Sequence, residues 1–352
     1  MRGLLALLLL SAWLTEAQTR KYSNEFLNIG VDAAAFGMAN AVTATSKDVN
    51  AVYWNPAGLI HLDDWQFSAM HASYFANIAN YDYIAGAKPL DNKSAIGFSI
   101  IRFGVDDILN TTQLIDAQGN IDFNRISLFS TADYAFTVSY ARNLPLEGFS
   151  YGVNAKVIRR IIGEFATAWG FGFDVGLQFS SEKWEFGFMA RDITTTYNTW
   201  AIDEDQFATI QNAVPGQNQE LPEDTEITLP KLQMGMARQF EFNRDFGLKA
   251  AVNLDMRFAQ TNDIISSSNV SATPAFGFEA DYTDMVYLRA GIGNFQNVRQ
   301  LDGTDNVGFQ PNFGVGFKYK GIQIDYAFTD IGDQSVGLYS NIFSLKLDWS
   351  IF

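Results

Sequence analysis

The chain has 352 residues, a formal net charge of −15 and no cysteine, and 47% of its residues are hydrophobic. This apolar, aromatic-rich composition excludes a disordered chain, and the lack of cysteine excludes a disulfide framework, a cysteine-based zinc site and thiol catalysis. The acidic balance argues against nucleic acid as a partner, because contacts with phosphates need a basic surface.

Residues 1–17 have the pattern of a secretory signal peptide. Arg2 forms a short basic region, an apolar stretch follows from Leu4 to Leu14, and Ala17 ends a small-residue cleavage site. The apolar stretch is too short to cross a bilayer as a helix. The sequence therefore predicts an exported protein.

Residues 18–65 show no alternation of apolar and polar positions. Asp32 is placed to cap a short helix over residues 33–39. An Asn-Pro pair then starts a turn, and a glycine after it permits unusual backbone geometry. This motif consists of Asn55, Pro56, Ala57, Gly58 and Leu59. The segment is either a surface arm or a hatch that lies in the lumen of a barrel and closes it.

Residues 66–352 alternate repeatedly with a period of two, as β-strands with two different faces do. Phe171, Phe173 and Val175, for example, interleave with Gly172 and Asp174. The pattern predicts fourteen strands, near 66–75, 81–88, 94–103, 132–142, 150–161, 167–179, 183–191, 231–240, 246–258, 273–282, 285–293, 311–320, 321–328 and 341–352.

The predicted connections favour a membrane barrel over a soluble β-sandwich. Long connections at 104–131, 192–230, 259–272, 294–310 and 329–340 alternate with short ones, and only 76–80 and 162–166 depart from this pattern. This asymmetry is typical of outer-membrane barrels, whose extracellular loops are longer than their periplasmic turns. A soluble sandwich also alternates along its strands, but it has no reason to keep its long loops at one end. We expect an all-β fold, a 14-stranded antiparallel transmembrane β-barrel in the bacterial outer membrane, in contact with its lipid.

The polar faces of the predicted strands carry charges of both signs, which suggests internal salt bridges and disfavours an open, ion-selective pore. The residues concerned are Lys156, Asp174, Asp255, Arg257, Glu279, Arg289, Lys318 and Asp325. Several glycines on these faces leave room for a plug against the wall. They are Gly172, Gly176, Gly277, Gly314 and Gly316. Ordinary filling of the lumen by side chains is the alternative.

The connection 192–230 is acidic and also contains apolar side chains. Its candidate partner-binding residues are Trp200, Ile202, Asp203, Glu204, Asp205 and Phe207. An acidic surface would steer a basic partner, whereas a solvated loop is the simpler interpretation. A calcium site is not expected, because no EF-hand spacing is present.

Catalytic constellations are missing from the sequence. The two histidines, His61 and His71, have no cysteine to join them in a zinc site, and no Gly-x-Ser-x-Gly elbow occurs. We expect a non-enzyme with no cofactor and no metal.

Residues 26–38 and 48–59 resemble the N-terminal signature of the FadL-like superfamily of outer-membrane barrels, and are most similar to its PorV/PorQ branch, which is associated with the type IX secretion system. The resemblance implies a fourteen-stranded barrel (residues 66–352) with an N-terminal hatch (18–65). FadL carries long-chain fatty acids. PorV-like barrels bind cargo proteins through their C-terminal sorting domains.

Two functions follow from this resemblance. The first is a barrel of the type IX secretion system, with secretion components and cargo proteins as partners at its extracellular side. The alternative is a FadL-like transporter of hydrophobic small molecules, which would need a hydrophobic ligand site between hatch and wall. A soluble or purely structural β-protein is a third possibility. These expectations rest on analogy of fold, which constrains function weakly.

Overall fold

The structure is a computed structural model that describes residues 23–74, 78–115, 119–213, 224–300, 303–329 and 340–349. The predicted signal peptide, residues 1–17, lies outside the described residues. No helix in the described ranges is long and apolar enough to cross a membrane.

The strands of the described residues all join one antiparallel sheet. Their bounds are β1 Gln66–Tyr74, β2 Ala79–Asp91, β3 Ser94–Asn110, β4 Ser127–Asn143, β5 Phe149–Ile162, β6 Ala166–Ser180, β7 Trp184–Arg191, β8 Thr196–Ile202, β9 Thr225–Thr228, β10 Lys231–Glu241, β11 Phe246–Arg257, β12 Ile265–Ser266, β13 Ser271–Tyr282, β14 Val286–Arg299, β15 Asp305–Tyr319, β16 Ile322–Thr329 and β17 Ser340–Asp348.

Fourteen of these strands close into a barrel, as the sequence predicts. Neighbours in the chain pair from β1 to β7, then β7 pairs with β10, β10 with β11, and β11 with β13. The ring continues through β17, which pairs with β1 over Gln66↔Asp348 to Ser73↔Asn341. Closure leaves no unpaired edge, so every strand of the ring has two hydrogen-bonded neighbours.

The two ends of the barrel differ. One end, which we call the short-turn end, carries tight connections such as residues 92–93 and 320–321. The other, the long-loop end, carries connections such as residues 111–126 and the excursion between β7 and β10. In outer-membrane barrels the long-loop end is extracellular.

The prediction of a long loop over 192–230 was wrong in part. β8 continues the wall beyond β7 by pairing with β6, and β9 pairs with β8. The wall is interrupted after β7, where Asp192 and Thr195 adopt positive φ angles of 52° and 58°. The helix Glu204–Ala213 follows β8. Period-two alternation breaks at the interruption, which is why the sequence pattern stopped there.

The predicted loops 104–131 and 294–310 are also shorter than expected. β3 runs to Asn110, and β14 and β15 remain paired as far as Arg299↔Asp305. The register shifts between Val105 and Ile108 and between Gly293 and Gln296. A bulge moves the following side chains out of the alternating pattern, so the sequence pattern predicts loops at these strand ends.

The two faces of the wall are inverted relative to a soluble protein. On β6 the outward Phe171 is 61% exposed, whereas the inward Asp174 is 2% exposed. The same contrast holds on β15, where Phe313 faces outward and Asn312 is buried. An apolar exterior around a polar interior is the arrangement of a transmembrane barrel.

Residues 23–62, called the N-terminal segment below, lie inside the barrel and pack against its wall. The segment contains the 3₁₀ helices Glu25–Asn28 and Pro56–His61 and the short α-helices Ala33–Gly37 and Ala51–Trp54. The predicted cap at Asp32 is present, since the Ala34 N–H donates to Oδ1 at 3.3 Å. Burial inside the barrel stabilises these helices, because helices this short do not persist alone.

Candidate functional site: the lumen and its N-terminal segment

Asn55 fastens the N-terminal segment to the barrel wall. Its side-chain Nδ2 donates to the carbonyl oxygens of Thr43 and Leu177, each at 3.1 Å, while Oδ1 accepts from the Ala57 N–H at 3.2 Å. Asn55 is fully buried, so these bonds satisfy an amide that would otherwise be costly to bury. The third contact also caps the helix that begins at Pro56.

The rest of the motif packs through glycines. A Cβ on Gly58 would lie 1.9 Å from the Ser46 carbonyl oxygen, and one on the wall residue Gly152 would lie 2.4 Å from the Pro56 carbonyl carbon. Ala57 and Leu59 are fully buried. All five residues of the motif are therefore inside the barrel, and their close contacts need glycine on both surfaces.

Three of the five predicted wall glycines contact the segment. A Cβ on Gly176 would lie 2.1 Å from Asn55 Oδ1, and Gly277 and Gly314 have similar close approaches to Met38 and Gly37. Gly172 and Gly316 instead make room for wall side chains, Thr196 and Asp325. Both the plug and the lumen-filling interpretations thus describe part of the wall.

The buried charges of the lumen form compact ion pairs. Lys156 Nζ lies 2.8 Å from both Asp174 and Asp192. Arg289 bridges Glu279 at 2.6 Å and Asp325 at 2.7 Å. These pairs connect different strands of the wall, and each charge has a partner of opposite sign, as the mixed charges of the sequence indicate.

Asp32 is a buried carboxyl at the contact between the N-terminal segment and β17. The Ser344 hydroxyl donates to its Oδ1 at 2.8 Å. Burial raises the pKa of the Asp32 carboxyl to about 6, and the nearby Lys346 ammonium opposes that rise. Lys346 itself is ion-paired with Asp48 of the segment.

One side of the lumen is apolar and aromatic. We call this surface the aromatic seam; it consists of Phe26, Leu27, Tyr74, Tyr81, Ile101, Phe103 and Val105. The ring centroids of Tyr74 and Tyr81 are 6.2 Å apart, and those of Tyr81 and Phe103 are 6.1 Å apart. The Tyr81 hydroxyl donates to the Phe26 carbonyl at 3.2 Å. Wall and segment therefore meet here through apolar contacts.

Two polar cavities flank the N-terminal segment. A cavity of about 500 Å³ lies at the short-turn end, beside turn residues such as Glu182 and Asp284. A second, of about 200 Å³, lies at the long-loop end between the segment and strands β10 to β15. The sequence did not predict either cavity, because each is formed by side chains from several strands together with the N-terminal segment.

The candidate partner-binding residues are split between two elements. Trp200 and Ile202 lie in β8, where the Arg160 guanidinium stacks 5.1 Å from the Trp200 ring. Asp203 caps the following helix, since its Oδ1 accepts from the Gln206 N–H at 2.9 Å. Glu204 and Asp205 are exposed in the first turn of this helix, and Phe207 is half-buried.

Metal ligands do not converge within the described ranges: no group of three or more His, Asp or Glu side chains is placed to hold an ion. His71 Nδ1 lies 2.7 Å from Asp82 Oδ1 on the outer face, and His61 ends the last helix of the segment.

No protein-family model and no curated protein matches the chain. Solved structures do match. The Pseudomonas putida toluene transporter TodX is similar with a TM-score of 0.55 at 13% identity, over 93% of this chain and 98% of that one. A Pseudomonas aeruginosa FadL homologue has a TM-score of 0.50 at 13% identity, covering 91% and 98%. The Ralstonia pickettii toluene transporter TbuX has 0.52 at 11%, covering 91% and 98%.

At these identities the likeness concerns the fold. It agrees with the strand count, the closed ring and the apolar exterior described above. The chain therefore has the fold of FadL-type barrels and is a multi-pass β-barrel of the bacterial outer membrane.

Proposed function

We propose that this protein is a non-enzymatic channel that moves small hydrophobic molecules across the outer membrane, with the N-terminal segment as its gate. Transport of hydrophobic small molecules is the alternative that the resemblance to FadL-like barrels implies. Two of the barrels with similar folds are toluene transporters, which supports it by analogy.

The observation that carries the proposal is the aromatic seam. The two cavities are lined mainly by polar side chains, whereas the seam brings aromatic and aliphatic side chains of wall and segment together. Tyr74, the last residue of β1, brings the seam to the long-loop end. An apolar solute gains free energy along such a surface, at roughly 25 cal/mol per Å² removed from water.

The seam is packed shut, so passage requires movement of the segment. Tyr81 is fully buried, Tyr74 is 1% exposed and Ile101 is 2% exposed. A hydrophobic solute would replace the contacts of Phe26 and Leu27 with the wall. The backbone bonds of the segment to the wall are few compared with those of the strand ladders, so the segment is the element that yields.

A reversible cross-link tests this gate. The chain has no cysteine, and Asp32 Oδ1 lies 2.8 Å from Ser344 Oγ, so Asp32→Cys with Ser344→Cys would tie the segment to β17. Uptake of radiolabelled toluene into cells or proteoliposomes should fall when the pair is oxidised and recover on reduction.

A matched control uses Ser73→Cys with Asn341→Cys, which face each other across β1 and β17 within the wall. Its oxidation should leave uptake unchanged. Equal uptake by the oxidised and reduced gate pair, or no uptake above protein-free vesicles, would overturn the proposal.

We also propose, as a second candidate, the secretion function: binding of type IX secretion components or of cargo with C-terminal sorting domains at the long-loop end. The supporting observation is the exposed acidic first turn of the helix Glu204–Ala213, next to Trp200 and Phe207. Acidic side chains around an apolar centre suit a basic protein partner.

Charge reversal separates this function from transport. Glu204→Lys with Asp205→Lys should reduce the recovery of cross-linked partners from native membranes, while Glu182→Lys with Asp284→Lys at the short-turn end should not. Equal recovery from both variants would exclude the helix as the partner surface.

A further inference from the structure

We propose that the cavity at the long-loop end is a binding site for a small hydrophilic carboxylate, such as a sugar acid or another hydroxylated acid. The site goes beyond the proposed transport of hydrophobic molecules, because no residue of the aromatic seam lines this cavity and its lining is polar.

The first observation is a row of three cations on adjacent strands. Lys231 of β10 pairs in register with Arg191 of β7 on one side and with Arg257 of β11 on the other. We call these three residues the basic row. Like charges directly opposite each other on neighbouring strands destabilise a sheet, so the row needs anions nearby.

The protein supplies fewer anions than the row needs. Arg191 is held by Gln233 Oε1 at 2.6 Å and the Tyr53 carbonyl at 2.8 Å, both neutral groups. Asp255 pairs with Lys231 at 2.9 Å and also accepts from Gln233. Asp192, another carboxylate near Lys231 and Arg257, is paired with Lys156.

Arg257 is the cation left over. Its guanidinium forms neither an ion pair nor a hydrogen bond with any other residue that the structure describes, although the side chain is only partly exposed and lines the cavity. A guanidinium presents five N–H donors in a planar fork that matches a carboxylate. The free donors of Arg257 therefore define where the negative end of a ligand would lie.

The rest of the lining is rich in hydrogen-bonding groups. It includes the carboxamides Asn28, Asn40, Asn253, Asn294, Gln310 and Asn312 and the hydroxyl of Thr273. Each amide N–H₂ carries two donors, and among the described residues Asn294 Nδ2 has a single acceptor, Gln310 Oε1 at 3.3 Å. Hydroxyl groups both accept and donate, so a polyhydroxylated ligand would use such a lining, whereas a hydrocarbon chain would leave it unpaired.

The size of the cavity limits the ligand. Its volume of about 200 Å³ is below the roughly 300–1,000 Å³ of pockets for drug-sized molecules. The site would hold one small acid and exclude an oligosaccharide or a peptide. The contact of Ile29 and Phe36 with the same cavity would link its occupancy to the N-terminal segment.

Binding can be tested on the full chain purified in detergent, with three six-carbon probes. Isothermal titration calorimetry would compare gluconate, glucose and hexanoate, which separate the contribution of the carboxylate from that of the hydroxyl groups. We expect gluconate to bind more tightly than either of the others.

Two variants of one hairpin provide the matched comparison. Arg257→Gln should weaken gluconate binding about tenfold or more, the effect of one charge-assisted contact. Arg244→Gln removes the same charge from the exposed turn at the other end of β10 and β11 and should leave binding unchanged. Thr273→Leu, which fills the cavity while keeping every cation, should also weaken binding and covers the case in which Arg257→Gln does not fold.

Three results would overturn the proposal. They are no gluconate binding at concentrations up to roughly 10 mM, equal affinity in the wild type and in both cavity variants, or hexanoate binding as tightly as gluconate. The last result would assign the basic row to an amphiphilic acid and exclude a hydrophilic ligand.

Discussion

Arg191 joins the barrel wall to the N-terminal segment by holding Tyr53 in two ways. Its guanidinium donates to the Tyr53 carbonyl at 2.8 Å and lies 4.3 Å from the centre of the Tyr53 ring. Tyr53 in turn donates its hydroxyl to the Leu27 carbonyl at 2.6 Å. One wall residue thus positions two parts of the segment that are far apart in sequence.

Replacing Arg191 should loosen the segment. Arg191→Met leaves the Tyr53 carbonyl and Gln233 Oε1 without a donor, which should cost about 2–3 kcal/mol of unfolding free energy. Denaturation in detergent would measure this loss, and limited proteolysis would report faster cleavage within residues 23–62. Arg238→Met, on the outer face beside Trp184, should cost less; equal costs would show that Arg191 has no special role.

Added bulk at the wall glycines should displace the asparagine motif. A Cβ on Gly176 would lie 2.1 Å from Asn55 Oδ1, so Gly176→Ala must shift a fully buried amide. We expect a loss of roughly 1–3 kcal/mol, as for overpacking of a core. Gly104→Ala is the control, because its new methyl group would meet only the flexible end of Arg102. A Gly176→Ala protein as stable as the control would contradict the packing.

Stability should fall as the pH rises through the titration of Asp32. The folded-state pKa of about 6 is above the ordinary value of 3.8, so the folded protein binds more protons than the unfolded chain between these values. The unfolding free energy therefore decreases as pH rises from about 4 to 6, by about 3 kcal/mol for this group.

Asp32→Asn should remove that pH dependence, since the amide stays neutral and keeps an oxygen for the Ala34 N–H. Denaturation of both proteins at pH 4 and pH 7 would measure the difference. Asp63→Asn, at an exposed position after the segment, is the control. If the wild type and Asp32→Asn have the same pH profile, Asp32 does not titrate in this window.

Outward residues should show the depth dependence of a membrane. Leu254 lies on the outer face of β11, between Met234 and Pro274 of the neighbouring strands. Leu254→Arg should cost about 2–4 kcal/mol if the residue is near the bilayer midplane, and Phe246→Arg, at the short-turn end of the same strand, about 0–1 kcal/mol. Refolding into lipid vesicles would measure both. Equal costs would contradict this placement of the strand.

The local pattern of the chain was sufficient to predict the class of fold. Alternation such as Phe171, Phe173 and Val175 against Asp174 depends only on the two faces of a strand, and it predicted a wall of fourteen strands that the structure confirms. The pattern failed at Asp192 and at Gly293, where an interruption and a bulge end the period of two.

Only the tertiary structure decided what the lumen contains. The bond between Asn55 and Leu177 and the aromatic seam each join the segment to the wall, and Arg257 lines a cavity formed by the segment and several strands. Strand periodicity determines which face a side chain occupies, but closure of the ring determines its neighbours across the lumen. The sequence therefore determined an outer-membrane barrel, and three-dimensional closure determined its polar cavities and its apolar seam.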